Sequence, residues 1–135
     1  MKNPSNTMIN KLLPSFALLI LALSLNNLQA KKEEGAPAQV YTASETAEFK
    51  TLATATLDAL NAGKKEEMVT KLTDLETAWD AKESDLKPKD EATWTIIDKT
   101  LDKGISSLRS SKYKPEKGKA ALESLISELT SATKQ

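Results

Sequence analysis

From Thr42 to the C-terminus, apolar residues recur at helical spacing in four segments divided by short polar turns. The first spans about residues 43–62, with Phe49, Leu52, Leu57 and Leu60 as its stripe. Thr42 followed three residues later by Glu45 is a capping box, in which each side chain satisfies the other's backbone N–H. Gly63 stops this helix, because glycine takes the left-handed cap conformation at little cost. The second segment spans about residues 65–84. Its Met68, Leu72, Leu75, Trp79 and Leu86 stand four, three, four and seven apart, a heptad seam. Asp85 to Asp90 reads as a loop around Pro88. The third segment, about 91–110, starts from Asp90 as N-cap and carries Trp94, Ile97, Leu101, Ile105 and Leu108 on one side. Gly104 inside it predicts a close helix crossing. The fourth starts at Pro115, which suits the first helical position, and presents Leu122, Leu125, Ile126 and Leu129.

Short loops oblige consecutive helices to run antiparallel. The pattern therefore predicts an all-α domain over 42–135, an antiparallel up-down-up-down four-helix bundle. Its size resembles that of periplasmic four-helix haem bundles of the cytochrome b type. Those hold haem through an axial histidine, and this chain has none, so the resemblance carries no function across.

The first thirty residues follow a different pattern. Lys2 and Lys11 precede an apolar run from Leu12 to Leu25, and polar Asn26-Asn27 leads to Ala30 and a charged stretch. That order of basic, apolar and small-residue regions is the mark of a secretory signal peptide, removed after export. The run is fourteen residues long, short of the roughly 20 that a spanning helix needs. Met8 is a second candidate start. The leader type points to a bacterial protein of the periplasm or outside, touching the membrane only through the signal peptide before cleavage. Residues 31–41, charged and then small, read as a flexible tether.

Composition narrows the chemistry. The chain holds no cysteine and no histidine. The usual zinc, haem, copper and iron–sulfur ligand sets cannot form, nor can serine–histidine or cysteine–histidine nucleophiles. No cysteine means no lipid attachment after the leader and no disulfide. No glycine-rich phosphate loop occurs. All 19 acidic residues and 17 of the 19 basic ones follow the leader, leaving residues 31–135 with a net charge of −2 and no overall electrostatic case for nucleic acid or for anionic membranes. No catalytic, cofactor-binding or metal residues are assigned.

Three groups are left. Glu76, Asp80 and Glu83 share one helix face and Asp98 and Asp102 another; both read as solvated faces, with weak carboxylate-based metal buffering as the alternative. Lys112, Lys114, Lys117 and Lys119 surround the third turn, as a solvated stretch or a contact for an anionic partner. Trp79 and Trp94, late in the second segment and early in the third, fall at one end of the bundle. Their indole N–H groups need acceptors, for which Asp80 and Asp98 are at hand. The tryptophan spacing is core spacing, so the pair reads first as a plug for one end of the core. The alternative is an aromatic ligand cleft, for which these four residues are the candidate contact for a ligand or partner. The expected function is a non-enzymatic binding or interaction module of the cell envelope, its partner an envelope protein. The alternative is a periplasmic carrier of a small ligand beside Trp79 and Trp94.

Overall fold

The computed structural model describes residues 37–134. The signal peptide over 1–30 and most of the tether lie outside the described residues. The described residues are all-α, without a strand, in the order α1 (Ala43–Asn61), α2 (Lys65–Ala81), α3 (Glu83–Leu86), a 3₁₀ turn (Lys87–Lys89), α4 (Glu91–Arg109) and α5 (Pro115–Ser131).

Caps set most of these boundaries. Thr42 Oγ1 accepts from the Glu45 N–H at 3.3 Å, and the Glu45 carboxylate accepts from the Thr42 N–H at 2.8 Å. Gly63 has a φ of +71°. Its N–H reaches the Leu60 carbonyl while Lys64 N–H reaches that of Ala59, closing α1 with a Schellman motif. Asp90 accepts from the Thr93 N–H at 2.7 Å and starts α4.

The second segment departs from the single helix expected over 65–84. It breaks at Lys82, and α3 with the 3₁₀ turn replaces the expected loop over 85–90. Pro88 sits early in that turn, where its missing N–H would have had no intrahelical partner. Leu86, 2% exposed, joins the core from α3.

The core is continuous. Phe49, Met68, Leu72, Leu75, Ile97 and Leu125 are each at most 1% exposed, and side chains from all four long helices join them. Helix α1 packs along α2 and α5, and α4 packs along α5, whereas α2 and α4 touch at few places. The crossing of α4 and α5 is close at Gly104, where a Cβ would stand 3.7 Å from that of Ala121. It is closer at Gly118, where a Cβ would lie 2.2 Å from a Leu108 methyl.

The tether reading over 31–41 does not hold for its last residues. Ala38 N–H donates to Thr93 Oγ1, and the N–H groups of Val40 and Tyr41 both reach the Ala132 carbonyl. Tyr41 and Thr133 form a parallel bridge, and the Tyr41 side chain is fully buried. A large aromatic ring that gains a core position offsets the entropy of ordering these few residues.

Candidate functional site

Helices α2 and α4 bring three of the four candidate residues together. Trp79 ends α2 on its apolar stripe, and Trp94 begins α4 one turn after the Asp90 cap. Their rings stack, with centroids 3.9 Å apart and planes 8° from parallel. Phe49 meets Trp79 edge-on at 5.1 Å. Trp79 Nε1–H donates to Asp98 Oδ1 at 3.1 Å. Trp79 is 1% exposed and Trp94 4%, so this cluster belongs to the interior.

Asp80 stands outside the hydrogen-bonded and stacked cluster. It follows Trp79 directly in the helix, so its side chain points about 100° around the axis, and it is exposed. Its carboxyl pKa is raised by partial loss of water and then by the neighbouring carboxylates of Glu76, Asp98, Glu83 and Asp102. Among the described residues, no group of three or more histidine, cysteine or acidic side chains has the arrangement of a metal site.

The carboxylate face of α2 is also less open than its spacing suggested. Arg109 of α4 reaches across to α2 and pairs with Glu76, and its second terminal nitrogen donates to Thr73 Oγ1 at 2.8 Å. The Trp79–Asp98 bond, the ring stack and this arginine bridge the sparse contact between α2 and α4. Arg109 was the one contributor with no sequence signal, because its partners lie 33 and 36 residues away.

Neither tryptophan lines any of five marked depressions among the described residues. A depression of about 180 Å³ lies over Phe49 and Leu86, rimmed by Glu45, Glu48, Lys82 and Asp85, and neither tryptophan lines it. Two other depressions, of about 440 and 400 Å³, lie between α4 and α5. They share Ser106, Ser107 and Lys117, and so form one furrow. Glu128 stands at its inner end, where it accepts from Thr100 Oγ1 at 3.0 Å. Burial raises its carboxyl pKa against the lowering effects of that hydrogen bond and Lys103.

Comparison of the chain with protein-family models, with curated proteins and with solved structures gives no match. No described helix is long and apolar enough to cross a membrane.

Proposed function

We propose that this chain is an exported, non-enzymatic binding or interaction module of the bacterial cell envelope. In this reading residues 1–30 are a cleaved signal peptide, and the four long helices form an antiparallel up-down-up-down bundle. The bundle topology is supported by the three extensive helix–helix contacts and by the position of Lys65, whose ammonium lies 4.9 Å from the Tyr113 ring. That contact sets the α1–α2 turn beside the α4–α5 turn, as alternating helix directions require.

The observation that carries the functional reading is the closed tryptophan cluster. The largest side chains fill the interior, Trp79 stacked on Trp94 and hydrogen-bonded to Asp98, and this leaves the outer helix faces for recognition. A carrier would need space beside Trp79 and Trp94, and their near-complete burial disfavours it.

Cell fractionation with intact-mass measurement tests the export half. The expected product is a chain beginning at Lys31 in the envelope or medium. Full-length chain retained in the cytoplasm would contradict it. Photo-crosslinking from exposed helix positions in intact cells tests the interaction half. A discrete adduct from one face is expected, and no adduct from any face would count against the reading.

A further inference from the structure

We infer that the lysine-lined end of the furrow between α4 and α5 is a binding surface for phosphate-bearing anions. The inference rests on the proposal that the exterior is the working surface, and it names a partner chemistry for one part of it.

Three features of the furrow converge. First, small residues make it. Gly104 and Ala121 bring the two helices close, and Ala120 and Ser107 leave no large side chain to cover the gap. Second, its outer end is lined by Lys112, Lys114 and Lys117, all exposed and none in an ion pair among the described residues. Elsewhere Lys64, Lys82, Lys87 and Lys89 are each engaged by a carboxylate, and the unpaired Lys50, Lys71 and Lys99 line no such depression. Within the stretch only Glu116 opposes the three lysines. On a chain whose acidic residues outnumber its basic ones after the leader, unpaired ammonium groups concentrated in one depression are a local field of opposite sign. Third, hydroxyls stand among them. Ser110 Oγ is spent on the Lys112 carbonyl, which shapes the turn, while the hydroxyls of Ser107 and Ser111 line the depression without a protein partner among the described residues.

The donor set selects the class of anion. A planar carboxylate is best met by the fork of an arginine, and this end of the furrow has none. Separate ammonium and hydroxyl donors around a depression suit a tetrahedral group with several charged oxygens. At the inner end Glu128 stands with Lys103, so the charge there is mixed and the net positive charge lies at the outer end. The chemistry is shared by a soluble phosphate compound and a phosphate-bearing lipid headgroup.

Amide NMR of the purified chain, titrated with tripolyphosphate, tests this. Saturable shifts confined to residues 106–117 are expected, weakening as salt is raised. The triple variant Lys112→Ala, Lys114→Ala, Lys117→Ala should bind at least about tenfold more weakly. Removing the same charge elsewhere, with Lys50→Ala, Lys71→Ala and Lys99→Ala, should change affinity by no more than about twofold. Phosphatidylcholine vesicles with and without phosphatidic acid separate the sources. Sedimentation with the phosphatidic acid vesicles assigns a headgroup, and binding of tripolyphosphate alone assigns a soluble phosphate. Neither binding, equal loss in both triple variants, or citrate binding as tightly as tripolyphosphate would overturn the inference. The titration needs neither export nor a protein partner, so its failure is distinct from failure of the broader proposal.

Discussion

At the scale of single residues, the helical phase decides which neighbours in sequence become neighbours in space. Asp98 follows Trp94 by four positions and therefore lies on the same side of α4, facing Trp79. Asp80 adjoins Trp79 but is exposed, its carboxylate among those of Glu76, Asp98, Glu83 and Asp102. Both carboxylates were candidates from sequence, and the phase argument that separates them was available there. Asp98→Ala leaves the Trp79 N–H buried without an acceptor and should cost about 1–3 kcal/mol in urea denaturation, whereas Asp98→Asn keeps an acceptor and should cost less. Glu45 is held down to about 2, first by its hydrogen bond with Lys89 and then by the Thr42 N–H. A depressed folded-state value means stability that is present above the ordinary value of 4.5 and lost as the pH falls towards 2. Glu45→Gln should therefore destabilise the chain at pH 7, and the difference from wild type should shrink through that acid window. Equal differences at both ends of the window would show that the charge is not what matters.

At the scale of elements, the sequence displayed helix starts and stops well because caps are local chemistry. Thr42, Gly63, Asp90 and Pro115 each act within a few residues of the boundary they set. The break at Lys82 has no such local marker, and Leu86 beyond it still takes a core position. The glycines divide in the same way. Gly104 is recognisable from sequence as a crossing, but its site has room for a methyl group, at an ordinary 3.7 Å contact. Gly118, hidden among the lysines of the last helix, is the tighter position. Gly104→Ala should leave stability unchanged or raise it by up to about 1 kcal/mol through helix propensity. Gly118→Ala must displace the buried Leu108 side chain and should cost about 1–3 kcal/mol. Thermal denaturation of the two variants gives the comparison, and the reverse order would mean that the register of α4 on α5 is wrong.

At the scale of the whole molecule, the described residues form a closed apolar interior with a sparse contact between α2 and α4, crossed by an aromatic stack and an arginine. The ends of this domain are joined, since Tyr41 and Thr133 pair and Thr46 Oγ1 meets Thr133 Oγ1 at 2.8 Å. That union links residues 87 apart, and no sequence periodicity reports it. What the molecule recognises is then a matter of its outside, which the proposal assigns to helix faces and one basic furrow. Tryptophan emission of the purified chain tests this division of inside from outside most directly. Emission typical of buried indole, protected from acrylamide and unchanged when envelope extract is added, is expected. Ready quenching, or a spectral shift with any extract fraction, would place a ligand site beside Trp79 and Trp94 and contradict a closed interior.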